Sequence, residues 1–326
     1  MSLPKTAPGR SVPIYLEAVP PILRQGAAGI DMILGEIDAI HAAVGLAGVN
    51  IPEIREESSK SQTGERLKPF EPRVEPRELA RRIQADFGLD CIINRVVVHL
   101  AWERQADWFR QTWEEYGIRQ FVLVGGEKAG VRYPGPSVPE TNELVHRVID
   151  DCGLRVGNIC IPTRVQEARR MARKLATGAD FFTTQILYHA PELTRLLDEL
   201  QELELPVSPP ALLLTLCPVR SPRNIRFLHW LGVSLSPELE AWLTHDPEQV
   251  TERSLEHLER VWTEIHQHWL GHHGHFAMGI SLAPIGQIPP MTTVRLARTL
   301  AAVTDRRATC VAGTQSTLEP SLGKAP

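Results

Sequence analysis

The chain has 326 residues, of which 43% are hydrophobic and 23% charged, a composition that is typical of a globular protein and excludes a disordered or fibrous one. The 35 basic and 39 acidic residues give a net charge of −4 without a long block of either sign, so neither a nucleic-acid partner nor a polybasic membrane surface is indicated. No apolar run approaches the roughly 18 residues that span a bilayer, and the N-terminus lacks the apolar core of a signal peptide. We therefore expect a cytoplasmic protein with a small-molecule partner.

Short apolar runs alternate with longer amphipathic segments along the chain, as in repeated βα units. The runs predicted as strands are Val12–Ala18, Gly48–Ile51, Cys91–Val98, Gln120–Val124, Arg155–Ile161, Phe181–Leu187, Ala211–Leu216 and His275–Leu282. The segments predicted as helices are Ala27–Ala47, Pro76–Phe87, Glu103–Tyr116, Pro139–Cys152, Val165–Ala176, Pro191–Glu202, Pro222–Leu231, Pro237–Thr244 and Pro247–Leu270.

This order predicts an α/β fold of the (β/α)8 TIM-barrel class, formed by residues 11–304 as a single domain with extra helices before the last strand. An open dinucleotide-binding sheet is disfavoured, because the first strand is followed by Glu17–Pro21 instead of a glycine-rich turn. The ends of the chain, residues 1–10 and 305–326, are rich in Pro, Gly, Ser and Thr and are predicted to be flexible tails.

Cysteines and histidines do not indicate a metal site. The five cysteines form no C-x-x-C pair and are interpreted as buried free thiols. The histidine cluster has no carboxylate at a spacing typical of zinc enzymes, so a solvated cluster is favoured over a zinc site; its members are His266, His268, His272, His273 and His275.

Catalytic groups of barrel enzymes lie at the C-terminal ends of the strands, and Glu17 ends the first one. Its neighbours Ile14, Leu16 and Ala18 are apolar, and burial raises the pKa of a carboxyl group, as a general acid requires near neutral pH. A glutamate that faces solvent or a salt-bridge partner is the alternative at this position.

Three further strand ends carry polar groups, at Gly125-Gly126-Glu127, Pro162-Thr163-Arg164 and Thr184-Gln185. Gly125-Gly126-Glu127 lets the backbone approach a ligand and presents an acid beside it, although a plain turn explains it as well; the spacing that follows is not that of a phosphate loop, which excludes nucleotide hydrolysis. Gln185 lies in an apolar strand and must find a hydrogen-bond partner. That partner is either a ligand or a neighbouring strand.

Read in order, these strand ends resemble the methylenetetrahydrofolate reductase family from Ile14 to the last strand. The family's Glu-Phe-Phe-Pro-Pro is similar to Glu17–Pro21, and its Arg-Gly-Asp is loosely similar to Gly125-Gly126-Glu127. Its Ala-Gly-Ala-x-x-x-x-Thr-Gln is similar to Thr177–Gln185, and the proline, polar turn and helix after its seventh strand resemble Cys217–Ser221.

The resemblance implies reduction of 5,10-methylenetetrahydrofolate to 5-methyltetrahydrofolate with hydride from NADH or NADPH, a reaction that serves methionine biosynthesis. It implies that Glu17 is the general acid, which protonates the pterin-side nitrogen as the methylene bridge opens to an iminium. Glu127 would face the pterin, and Gln185 would hydrogen-bond the pterin ring.

The resemblance leaves the cofactor open between FAD and direct hydride transfer from NAD(P)H. Flavin-using members have arginine where this chain has Gly125, and Tyr-Pro-x-x-His where it has Ile161–Val165, a segment that is more similar to the divergent mycobacterial type, which works without flavin. The basic pair Arg173 and Lys174 matches residues that contact the flavin phosphates, but a solvated helix face explains it equally. The predicted cofactor contacts are Gly125, Gly126, Thr163, Arg164, Arg173 and Lys174.

Two alternatives to a methylenetetrahydrofolate reductase stay open. One is a non-catalytic barrel that binds a pterin or regulates a partner, since a fold can persist when its chemistry is lost; Glu17 argues against it, because a pure binder needs no embedded acid. The other is a related reductase that acts on a different pterin one-carbon carrier. The choice between NADH and NADPH and the formation of a homo-oligomer are not decided by the sequence.

Overall fold

The computed structural model describes residues 12–56, 61, 63–66, 68–126, 131–205, 210–271 and 277–315, with side chains up to residue 304. Parallel strands form a closed barrel in chain order, which confirms the predicted (β/α)8 fold. The strands are β1 (Ile14–Glu17), β2 (Gly48–Pro52), β3 (Cys91–Val96), β4 (Gln120–Val124), β5 (Arg155–Cys160), β6 (Phe181–Thr184), β7 (Ala211–Leu216) and β8 (Ala277–Leu282). Pairing of β1 with β8, in register Ile14 to Ile280, closes the barrel.

Helices surround the strands. They are α1 (Gly26–Val44), α2 (Pro76–Phe87), α3 (Trp102–Tyr116), α4 (Val138–Val148), α5 (Glu167–Ala176), α6 (Ala190–Gln201), α7 (Pro222–Trp230), α8 (Pro237–Thr244), α9 (Val250–Gly271) and α10 (Pro290–Gln315). Because α9 packs between α6 and α10, it takes the usual place of the helix that follows β7. The extra helices before the last strand are therefore α7 and α8, whereas the sequence prediction assigned Pro237–Thr244 and Pro247–Leu270 to this insertion.

Local chemistry explains where several helices begin and end. Ser137, Ser221 and Ser236 accept backbone N–H bonds at the starts of α4, α7 and α8, each with proline in the first turn. Gly88 and Gly117, both at φ 66°, end α2 and α3 in the left-handed conformation that glycine adopts without strain. These signals are local, which is why α2 matches its predicted bounds.

The sequence prediction missed α10. Its buried residues Val294, Ala297 and Leu300 recur at helical spacing, a pattern that identifies an amphipathic helix. The helix continues to Gln315, past the predicted domain end at residue 304. The domain boundary and the two flexible tails stay predictions. No helix among the described residues is long and apolar enough to cross a membrane.

The structure also places most of the cysteines. Cys91, Cys160 and Cys217 are buried free thiols, as predicted, whereas Cys152 is exposed. Of the histidine cluster, His266 and His268 lie on α9, and the other members lie outside the described residues.

Candidate active site

An apolar layer fills the inside of the barrel. Its buried side chains are Tyr15, Ile92, Val122, Phe181 and Leu213. Two glycines make room for it: a Cβ on Gly157 would lie 2.4 Å from the Phe181 ring, and a Cβ on Gly279 would lie 2.6 Å from Cδ2 of Leu213. A ligand that enters through the C-terminal mouth can therefore reach only the layer above.

Strand alternation determines that upper layer, because residues two positions apart point to the same face. The first inward positions above the apolar layer are Glu17, Asn50, Asn94, Val124, Ile159, Thr183, Thr215 and Ser281. Pro52 and Val96 follow one step higher on β2 and β3. The floor of the mouth is thus polar on six strands and apolar on the adjacent strands β4 and β5. Such a floor offers hydrogen bonds to one edge of a flat ligand and an apolar surface to another part of it.

Glu17 is half-buried at the end of β1. Burial raises the pKa of its carboxyl group from 4.5 to about 7. The thiol of Cys217 is close enough that the Glu17 charge, together with burial as the larger cause, raises the thiol pKa to about 12. Near neutral pH, Glu17 is thus divided between its protonated and ionised forms, as proton transfer requires.

A second strand-end carboxylate, Glu53, differs from Glu17 in its partners. Glu53 Oε1 accepts hydrogen bonds from Arg55 and Arg95, each at 2.9 Å, and Oε2 accepts one from the Val96 backbone N–H at 2.9 Å. Two cations therefore pair with the Glu53 side chain. Since Glu53 is already paired, Glu17 is the better candidate for an acid at the mouth.

Three inward polar side chains of the upper layer contain an oxygen without a hydrogen-bond partner. These oxygens are Asn50 Oδ1, Asn94 Oδ1 and Ser281 Oγ, in side chains that are 4%, 8% and 1% exposed. By contrast, the hydroxyls of Thr183 and Thr215 in the same layer lie 3.3 Å apart and bond each other. An unsatisfied buried acceptor costs about 1–3 kcal/mol, so a ligand that supplies donors would be stabilised there.

Gln185 directly follows β6, close to its predicted place. Its Nε2 donates to the Leu231 carbonyl at 3.1 Å, and its Oε1 accepts from the Ile186 backbone N–H at 3.1 Å. Because Leu231 ends α7, this contact places the end of α7 over the C-terminal end of β6. The Gln185 amide is thus engaged within the chain.

The chain between β2 and α2 also reaches the end of α7. Thr63 donates a hydrogen bond to the His229 carbonyl, the Arg66 guanidinium lies 5.1 Å from the Trp230 ring, and a Cβ on Gly64 would lie 2.7 Å from the Trp230 nitrogen. In a closed eight-stranded barrel, β2 and β6 lie on opposite sides. The segment after β2 therefore extends to the opposite side of the mouth, where it meets α7.

The Gly-Gly-Glu segment after β4 is only partly described. Gly125 is half-buried and Gly126 exposed, and a Cβ on Gly126 would lie 2.3 Å from the Tyr133 ring. The close packing of Tyr133 explains this glycine without a ligand. Glu127 lies outside the described residues, so its place near a pterin stays a prediction.

Two of the basic residues predicted to contact a cofactor, Arg164 and Lys174, lie beside Glu167. Lys174 Nζ donates to the Ile159 carbonyl at 2.6 Å and lies 4.0 Å from Oε1 of the buried Glu167, while Arg164 lies 3.5 Å from Oε2 of Glu167. Lys174 also lies 5.9 Å from the ring of Phe182, which belongs to the core between strands and helices. Burial lowers the pKa of Lys174, and the Glu167 charge opposes this shift. Thr163 and Arg173 are exposed, and the cofactor roles stay predictions.

Sequence reasoning missed Asn50, Asn94 and Ser281. It considered only the strand ends, although an asparagine within an apolar strand is itself a signal of a buried polar site. A surface groove of about 470 Å³ lies along α3 between Leu100 and Glu115. It does not include any residue of the mouth.

Fold and site together define a (β/α)8 barrel with a buried acid and unpaired acceptors at its mouth. No protein-family model and no curated protein sequence matches the chain. Because 538 solved chains share the fold, the fold by itself does not select a function.

One of these structures is an uncharacterized protein from Clostridium thermocellum that binds two copies of 5-methyl-5,6,7,8-tetrahydrofolic acid. It aligns with a TM-score of 0.72 and 18% identity over 90% of this chain and 97% of its own, a similarity that shows the fold alone. A protein from Aquifex aeolicus VF5 aligns with a TM-score of 0.46 and 12% identity over 92% of this chain and 93% of its own, which is too low to support an argument.

Proposed function

We propose that the barrel mouth binds a reduced folate and that the protein reduces 5,10-methylenetetrahydrofolate to 5-methyltetrahydrofolate with hydride from NADH or NADPH. The observation that carries the proposal is Glu17, a strand-end carboxyl group whose pKa burial raises to about 7. The methyltetrahydrofolate bound by the Clostridium thermocellum protein, which has the same fold, supports the choice of ligand class.

The reaction determines where the proton must go. A methyl group on N5 requires that the bond between the bridge carbon and N10 breaks, so the Glu17 proton goes to N10. This corrects the expectation from the resemblance, in which Glu17 protonates the pterin-side nitrogen. The electron pair of the broken bond stays on N10, and the bridge carbon remains as an iminium on N5. Hydride from the dihydronicotinamide adds to this carbon, giving 5-methyltetrahydrofolate and NAD(P)⁺, and Glu17 is left ionised until water reprotonates it.

Other residues of the mouth would orient the substrate and exclude water. Val124 and Ile159 offer the apolar side of the floor to the faces of the rings. The end of α7 and the segment around Thr63 cover the side near β6, which would limit the access of water to the iminium.

A flavin would supply hydride by way of its own ring, but the described residues do not fit its phosphates well. Arg164 and Lys174 lie against Glu167, and Lys174 donates to the Ile159 carbonyl. A flavin phosphate would have to compete with Glu167 for these two cations. We propose the version of the reaction in which NAD(P)H transfers hydride directly.

The test combines binding and turnover on the purified chain. Calorimetric titration with 5-methyltetrahydrofolate measures binding, and loss of nicotinamide absorbance with 5,10-methylenetetrahydrofolate measures reduction. We expect both, with kcat/KM falling as pH rises through about 7, where Glu17 loses its proton. Binding without turnover from either nicotinamide would favour the non-catalytic pterin-binding barrel and reject the reductase. Absence of binding would reject both.

A further inference from the structure

Four consecutive strands bring acceptor groups together at the mouth. Ser281 on β8, Glu17 on β1, Asn50 on β2 and Asn94 on β3 all point inward from the upper layer. In the strand register, Glu17 lies opposite Asn50. Neighbouring strands are about 4.8 Å apart, so Asn50 is the next inward residue to Glu17 around the barrel.

The position of these oxygens matters as much as their lack of partners. Gln120 Oε1 is also buried without a hydrogen bond, and Gln120 points inward because it lies two residues before Val122. It precedes Val122 on β4, however, and so lies on the side of that residue away from the mouth. Asn50 and Asn94 lie on the mouth side, two residues beyond Gly48 and Ile92 on their strands.

We propose that Asn50, supported by Asn94, binds the aminopyrimidinone edge of the pterin and selects for it. This edge presents N–H groups at N3, at the 2-amino group and at N8, which match a row of unpaired acceptor oxygens. The inference rests on the proposed function, because it names the part of the folate that the floor of the mouth recognises. A ligand without these donors leaves the acceptors unpaired, and such mismatches are discriminated strongly.

The experiment compares Asn50→Leu with wild type and uses two ligands, 5-methyltetrahydrofolate and its analogue with hydrogen in place of the 2-amino group. Wild type should prefer the amino compound by about tenfold or more. In Asn50→Leu, the Kd for the amino compound should rise by about tenfold, and the preference should vanish. The melting temperature should not fall, because leucine removes an unsatisfied polar group.

Gln120→Leu is the matched control, since it removes an equally buried amide from below the apolar layer. It should leave both Kd values unchanged. Asn94→Leu should instead weaken binding of the amino compound, as Asn50→Leu does.

The inference is overturned if Asn50→Leu keeps the wild-type preference or weakens binding of both ligands equally. It is also overturned if the variant melts at a clearly lower temperature, which would show that the Asn50 amide is structural. Wild type that does not bind 5-methyltetrahydrofolate at all would instead reject the proposed function.

Discussion

Glu17 and Glu167 are both carboxyl groups embedded in the barrel, but their surroundings differ. Glu167 begins α5, has a side chain only 1% exposed, and lies within 4.0 Å of Arg164 and Lys174; its Oε1 also accepts the Ile161 backbone N–H at 3.0 Å. Burial alone shifts the pKa of Glu17. Removing one member of a buried ion pair leaves its partner uncompensated, so Glu167 has a structural role, whereas a carboxyl group that is desolvated without a cation, like Glu17, is a candidate for proton transfer.

The largest expected effect is on catalysis. Glu17→Gln preserves the shape of the side chain and removes the proton donor, so turnover of methylenetetrahydrofolate should fall by about 100-fold or more. Binding of 5-methyltetrahydrofolate should change little. Steady-state rates and calorimetry on the same preparation check both expectations. Turnover within a few-fold of wild type would show that Glu17 is not the acid.

The same substitution at the other acid should act on stability. Glu167→Gln leaves Arg164 and Lys174 near a neutral amide, and breaking such a buried pair costs about 3 kcal/mol. Urea unfolding should show this loss of stability. Under conditions in which Glu167→Gln is folded, its turnover should match that of wild type. Equal losses of stability in Glu17→Gln and Glu167→Gln would remove the distinction between the two sites.

The smallest effect is the pH dependence of stability. A carboxyl group whose pKa is raised in the folded state binds more protons there than in the unfolded chain, so it destabilises the fold as pH rises from about 4.5 to about 7. The cost above that range is at most about 3 kcal/mol. Glu17→Gln lacks this cost, so its unfolding free energy relative to wild type should increase with pH. A difference that is constant with pH would mean that Glu17 titrates normally.

The sequence determines the fold and part of the site through local patterns. The eight apolar runs predict the strands because burial of a parallel strand on both faces leaves a continuous apolar segment. Glu17 and Gln185 were found because a polar residue at such a strand end stands out. The contacts of Lys174 and Arg164 with Glu167 could not be predicted in this way. They depend on the conformation of the loop after β5 and on the position of α5. Likewise, the inward direction of Asn50 needs the barrel register, which a single strand does not reveal.

The hydrogen bond between Gln185 and Leu231 bears on the energetics of ligand recognition. A ligand that accepts the particular Gln185 Nε2–H bond now made to Leu231 must displace the Leu231 carbonyl, so one hydrogen bond is exchanged for another and the net gain in affinity approaches zero. The end of α7 would then populate two states, one bound to Gln185 in the free protein and one released in the complex. The apparent affinity of the mouth would then equal the intrinsic affinity multiplied by the fraction of molecules in which this contact is open.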